Sequence, residues 1–246
     1  MTQINSIPDL KGKTALVTGA SRGIGRAMAL ALAKAGAHVL ALARTSGGLE
    51  ELDDDVKAAG GQASLIPMDL TEGDGIERLA GALSERFEKL DILFANAAML
   101  GELAPLTDIA PKAWNATLDL NVTANWRLIR ALDPMLRKSG DAHVVFMTSR
   151  VGGELARPFW GAYAVSKAAL EMLAKTYAEE TKNAGISVAI IDPGAMRTHM
   201  RAEAMPGEDP ETLPEPEALT PMFFEAITAK SDGVLRLALR DWIPKN

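Results

Sequence analysis

Six short apolar, β-branched runs alternate with longer segments of helical period, and this alternation most narrows what the chain can fold into. The runs are KTALVT (13–18), HVLALA (38–43), ASLIPM (63–68), DILFAN (91–96), AHVVFMTS (142–149) and ISVAIID (186–192). Helix-like stretches lie between them near 23–36, 46–59, 72–88, 111–138 and 160–183. Strands that alternate with helices form a parallel sheet covered on both faces, because a parallel neighbour is reached only by a long crossover. The expected architecture is α/β and doubly wound.

No repeat, low-complexity segment or linker breaks the alternation, so the 246 residues read as a single domain over 1–246. Residues 193–220, PGAMRTHMRAEAMPGEDPETLPEPEALT, are rich in Pro and Glu and aperiodic, which predicts a long irregular excursion after the sixth strand. Ligands of open α/β sheets bind beyond the carboxyl ends of the strands. The excursion is therefore placed to act as a substrate lid, with a floppy loop as the alternative.

Several function classes are excluded by composition. The net charge of −6 is spread along the chain, whereas a nucleic-acid partner requires clustered Lys and Arg. There is no cysteine, which removes disulfides, thiolate metal sites and cysteine nucleophiles and fits a reducing, cytoplasmic location. His38, His143 and His199 are far apart and match no metal-ligand spacing, so no metal is expected. The start MTQINSIPDLKGK lacks the features of a signal peptide, and no apolar stretch approaches the ~18 residues of a membrane span.

The first strand runs into TGASRGIG (18–25) and then into the helical run RAMALALAKAG. Gly19, Gly23 and Gly25 permit a tight turn and close backbone approach, and the helix that follows offers its positive N-terminus to a pyrophosphate. In dinucleotide folds a carboxylate at the end of the second strand holds the adenine ribose. Here Ala43, Arg44 and Thr45 supply none, while Arg44, helped by Arg22, suits a 2′-phosphate. NADP(H) is thereby favoured over NAD(H). The alternative for Arg44 is a solvated residue at a strand end.

TGASRGIG, Asp69-Leu70 after the third strand, ANAA after the fourth, Ser149 after the fifth, then YAVSK (163–167) and DPG together resemble the short-chain dehydrogenase/reductase family, in its order, across residues 13–198. The resemblance implies a Rossmann-type sheet of about seven strands and hydride transfer between a nicotinamide and a small carbonyl or alcohol. Within it Gly19, Ser21, Arg22, Gly23, Ile24 and Gly25 cradle the cofactor, with Arg44 and Thr45 beside them. Asp69 and Leu70 flank the adenine, Asn96, Ala97 and Ala98 line the cofactor, and Pro193, Gly194 and Thr198 meet the nicotinamide carboxamide. Ala98 stands where the family carries glycine, which adds a methyl at a close approach.

The same resemblance makes Ser149, Tyr163 and Lys167 catalytic, together with Asn121, which links the lysine to solvent through water. A tyrosine titrates near pH 10 and transfers protons poorly at neutral pH without a neighbouring cation. Lys167, one helical turn beyond Tyr163, can supply that cation, and the resemblance also places its ammonium on the nicotinamide ribose hydroxyls. Tyr163 then acts as general acid or base, and Ser149 holds the substrate oxygen. Thr148 sits at the same strand end, and only the resemblance selects Ser149.

PGAMRTHMRAEAMPGEDPETL and FWGAYAVSK also resemble a little-characterised bacterial oxidoreductase subgroup of the family. Candidate pocket residues are Met99, Arg150, Glu154, Arg157, Phe159, Trp160, Arg197 and Met200. Arg157 and Arg197 either bind a substrate anion or make structural salt bridges. The family's closing Asp-Gly-Gly signature is missing, and LRLALR offers a seventh strand instead. The long helices at 111–138 and 160–183 resemble those of the family's four-helix contact, so a homodimer is the minimum expectation and a tetramer is open. A non-catalytic cofactor sensor or scaffold is the competing reading, and the intact catalytic set counts against it.

Overall fold

A computed structural model describes residues 7–242; residues 1–6 and 243–246, the ends of the expected domain and the first part of the N-terminal stretch read above, lie outside the described residues. Seven strands form one parallel sheet: β1 (Thr14–Thr18), β2 (His38–Ala43), β3 (Gln62–Pro67), β4 (Ile92–Ala95), β5 (Ala142–Met147), β6 (Ile186–Asp192) and β7 (Val234–Ala238). Their order is β3-β2-β1-β4-β5-β6-β7. The six expected runs match β1 to β6, each end falling within two residues. LRLALR divides: its first part joins β6 as the edge strand β7, and the rest turns helical.

The helices are α1 (Gly23–Lys34), α2 (Ser46–Ala58), α3 (Gly75–Arg86), α4 (Pro111–Leu118), α5 (Ala124–Ser139), α6 (Arg150–Gly153), α7 (Gly161–Thr181), α8 (His199–Ala204), α9 (Thr220–Ala226) and α10 (Leu239–Trp242). Successive strand residues point to opposite faces. Ala15 and Val17 of β1 therefore enter one core with Met28 and Leu32 of α1, Leu52 of α2 and Phe223 of α9. Leu16 enters the other, with Leu83 of α3, Leu128 of α5 and Leu170 of α7. Both faces of the sheet are covered, as continuously apolar strands require.

Two segments differ from the sequence expectation. The helix expected over 111–138 is interrupted by a π-turn, Asp119–Thr123, between α4 and α5. The extra residue of a π-turn accommodates Asn121, whose buried side chain is drawn to the backbone of Met99. The 193–220 excursion is not irregular throughout. It holds α8, whose N-cap Thr198 accepts from the Arg201 N–H at 3.2 Å, and 3-10 turns at Pro210–Thr212 and Pro216–Leu219. Its prolines keep each piece short.

Candidate active site

The sheet order reverses direction between β1 and β4, and the crevice outside their carboxyl ends is where such folds bind ligands. A cavity of about 780 Å³ opens there. Its first wall is the turn after β1, where Gly19, Ser21, Arg22, Gly23 and Ile24 face the space. Gly19 and Gly23 hold left-handed φ values of 68° and 55°, which a side chain would strain. Gly25 does not line the cavity. A Cβ on it would fall 2.1 Å from the Gly19 carbonyl oxygen, so its role is to let α1 seat beneath the turn.

Thr18 and Asn96 tie this turn to the end of β4. Thr18 Oγ1 accepts from the Asn96 and Ala97 N–H groups, both at 3.0 Å, and Asn96 Nδ2 donates to the Thr18 carbonyl at 3.0 Å. Asn96, Ala97 and Ala98 all line the cavity, and the Asn96 side chain is spent on the turn itself. Arg44, Thr45, Asp69 and Leu70 form the end beyond β2 and β3. The exposed Arg44 guanidinium lies 3.8 Å from Asp69. Burial works against ionisation of Asp69, and hydrogen bonds from Thr71 with the Arg44 charge outweigh it, holding the carboxyl below its ordinary value.

At the opposite end Ser149, Tyr163 and Lys167 line the cavity with Pro193, Gly194 and Thr198. Ser149 caps α6: its Oγ accepts from the Val151 N–H at 3.2 Å, leaving its own proton free to donate. Thr148 is buried and donates to Glu171 Oε1 at 2.8 Å, so the available hydroxyl at this strand end is that of Ser149. Burial pushes the Tyr163 phenol up to about 12, with the Ser149 hydroxyl opposing the shift and the Asp192 charge adding to it. Lys167 Nζ lies 5.6 Å from the Tyr163 ring centre and donates to the Met147 carbonyl at 2.9 Å. Burial lowers it to about 8.

Asn121 is fully buried and outside the cavity wall. Its side chain accepts from the Met99 N–H and donates to the Met99 carbonyl and to Ser166 Oγ, each at 2.9 Å. Ser166 in turn donates to the Tyr163 carbonyl at 2.7 Å, so Asn121 reaches the tyrosine's helix through one hydroxyl.

Of the other expected pocket residues, Arg150, Arg157, Trp160, Arg197 and Met200 line the cavity, whereas Met99, Glu154 and Phe159 do not. Trp160 stands edge-on to Tyr163, ring centres 5.8 Å apart. Glu154 instead meets Arg236 at 3.3 Å and Arg240 at 2.7 Å. Behind them Glu171, nearly buried, takes Arg236 at 2.7 Å, and Asp192 faces Arg240 at 3.8 Å. Sequence reasoning named Glu154 only as a pocket residue and did not connect it with Glu171, Arg236 and Arg240. The signal available was helical spacing, since Glu171 follows Tyr163 and Lys167 at successive intervals of four. Among the described residues no cluster of three or more His, Asp or Glu could hold a metal ion, and no helix is long and apolar enough to cross a membrane.

The chain is similar to known proteins in sequence and in fold. It is 36% identical over 217 residues, 87% of this chain and 85% of the relative, to the uncharacterized oxidoreductase YciK of Escherichia coli K12. The solved structure of a candidate short chain dehydrogenase from Pseudomonas syringae superposes with a TM-score of 0.90 at 37% identity, covering 96% of this chain and 98% of that one. Another, from Shigella flexneri 2a and complexed with NADP, gives 0.88 at 33% identity, covering 94% and 99%. The short chain dehydrogenase family model matches residues 13–209, and with the relatives above this establishes that the chain belongs to that family.

Proposed function

We propose that the chain is an NADP(H)-dependent oxidoreductase that interconverts a carbonyl compound and its alcohol. The observation that carries this reading is that Ser149, Tyr163 and Lys167 close one end of a cavity whose other end is a glycine turn flanked by Arg22 and Arg44. The donor set fits the cofactor: a turn whose left-handed Gly19 and Gly23 face the cavity for the pyrophosphate, two guanidinium groups for a 2′-phosphate, and a buried ammonium for ribose hydroxyls. A similar protein from Shigella flexneri is complexed with NADP, in keeping with this choice. The nicotinamide, when bound, supplies or accepts the hydride.

The residues then divide the remaining work. Ser149 spends a lone pair on the Val151 N–H and donates its proton to the substrate oxygen. Tyr163, titrating at about 12, carries its proton at neutral pH and delivers it to the oxygen during reduction. In oxidation Tyr163 must become a phenolate, which the Lys167 ammonium stabilises. Lys167 keeps two N–H donors beyond the one given to Met147, and these hold the nicotinamide ribose. Asn121 fixes the Met99 segment and, through Ser166, the start of α7. The domain works as a single unit with 193–220 as the lid, in the cytoplasm, as a homodimer at least, through α5 and α7, whose Trp126, Val165 and Met172 are exposed.

The test is NADPH oxidation measured across ketones, aldehydes, quinones, sugars and acyl thioesters, with Tyr163→Phe as the blank. Turnover is lost in the variant while NADPH binding, read by fluorescence, persists. Equal turnover by variant and parent would overturn the assignment of the acid.

A further inference from the structure

The cavity wall beyond Tyr163 is strongly basic in a chain of net charge −6. Arg150, Arg157, Arg197, Arg201 and Arg240 line it, and Asp192 is the one carboxylate there. Three of these cations are already satisfied: Arg197 by Glu211 and Glu215, Arg201 by Glu208, and Arg240 by Glu154. Among the described residues neither Arg150 nor Arg157 is within ion-pair distance of a carboxylate. Glu208 feels the charge of Arg157, but Arg201 occupies both its oxygens, at 2.5 and 2.6 Å.

Arg157 is half-buried, and its five N–H donors find one protein acceptor, the Met205 sulfur at 3.4 Å, a weak one. The guanidinium is held in place nonetheless. It lies 4.9 Å over the Trp160 ring, and the turn that puts it there, with the Trp160 N–H donating to the Arg157 carbonyl at 3.3 Å, keeps Phe159 at a φ of 70°. A bulky residue rarely adopts that conformation, so the turn is maintained against local strain. Trp160 thus touches Arg157 through its face and Tyr163 at an edge-on angle. Leu100, Val151 and Met200 complete an apolar patch beside the phenol.

From this we infer that the substrate is an oxo acid: a carbonyl at Tyr163 and Ser149, a carboxylate on Arg157, and an apolar body lying along Trp160 between them. A 2-oxo acid, whose two groups are adjacent, does not span the indole. Arg157 is then the specificity-determining residue. The inference rests on the oxidoreductase reading of the same cavity.

The probes are 4-formylbenzoate and its methyl ester, which share the carbonyl and differ in charge. Calorimetry with NADP⁺ present reads binding without turnover, and NADPH oxidation reads kcat/KM. The parent should prefer the acid by about tenfold or more in both, the value of a charge-assisted hydrogen bond. Arg157→Gln should erase the preference by lowering affinity and kcat/KM for the acid far more than for the ester, and Arg157→Lys should restore part of it. Equal binding of acid and ester by the parent, retention of the preference in Arg157→Gln, or no binding of either compound would overturn the inference. Preferential binding of the acid without reduction of either aldehyde would leave the anion site standing and overturn the oxidoreductase reading instead.

Discussion

Thr148 donates its hydroxyl to Glu171 Oε1 at 2.8 Å, joining the end of β5 to the middle of α7 directly behind Ser149 and Tyr163. The other oxygen of that carboxylate receives Arg236 from β7 at 2.7 Å. One buried side chain therefore braces the strand end that carries Ser149, the proposed substrate-holding hydroxyl, against the helix that carries Tyr163, the proposed acid. Glu171→Leu should cost about 2 kcal/mol in urea unfolding, less than a fully buried pair because Arg236 keeps Glu154 and some water. Thr148→Val should cost about 1 kcal/mol. Since both changes loosen the Ser149 strand end, kcat should fall in each with KM little altered.

Lys167 is buried with no carboxylate in ion-pair contact among the described residues, so its charge opposes folding. Burial lowers its titration from 10.5 to about 8, a cost on the order of 3 kcal/mol while the lysine is protonated in both states. Lys167→Met should raise the melting temperature at pH 7 by roughly 5 °C or more while abolishing turnover. The sign of the pH dependence follows. Between pH 8 and 10.5 the unfolded chain holds the proton and the folded one releases it, so the parent gains stability as pH rises and the advantage of the variant shrinks. Melting curves at pH 7 and pH 9 check this.

Arg44 is exposed and only loosely matched with Asp69, leaving its donors for a 2′-phosphate. Arg44→Asp should lower NADPH affinity by about tenfold to a hundredfold and leave NADH much less affected. Titrating both cofactors against intrinsic fluorescence reads the change; an unaltered preference would refute the phosphate role.

Gly25 separates a packing effect from a ligand effect. Its added methyl meets the Gly19 carbonyl, not the cavity, so Gly25→Ala should destabilise the fold by about 1–3 kcal/mol and weaken NADPH by displacing the turn. Thermal melting and NADPH titration of the same variant should move together.

The alternation of strand and helix made the sheet legible, because apolar runs of this length bury both faces whatever the details of packing. Tyr163 and Lys167 were legible because four residues on one helix fix their own geometry. Ser149 and Thr148 were not separable in sequence, since the distinction is a hydrogen bond to a residue more than twenty positions away on another element. Arg157 and Arg197 looked alike for the same reason: the carboxylates that neutralise Arg197 lie across the 193–220 fold, and nothing local announces them. The π-turn at Asn121 is a response to a tertiary contact with Met99 and leaves no periodic trace.

Arg236 and Arg240 leave the ribosome long after Glu154, Glu171 and Asp192, the carboxylates they face. A nascent chain halted before residue 234 would present those acids without these counter-charges, on the wall of the crevice and behind it. Synthesis of β7 and α10 is thus also the step that pairs the carboxylates behind the Ser149 and Tyr163 end of the cavity, so truncation at this edge should disturb that end before it reaches the glycine turn.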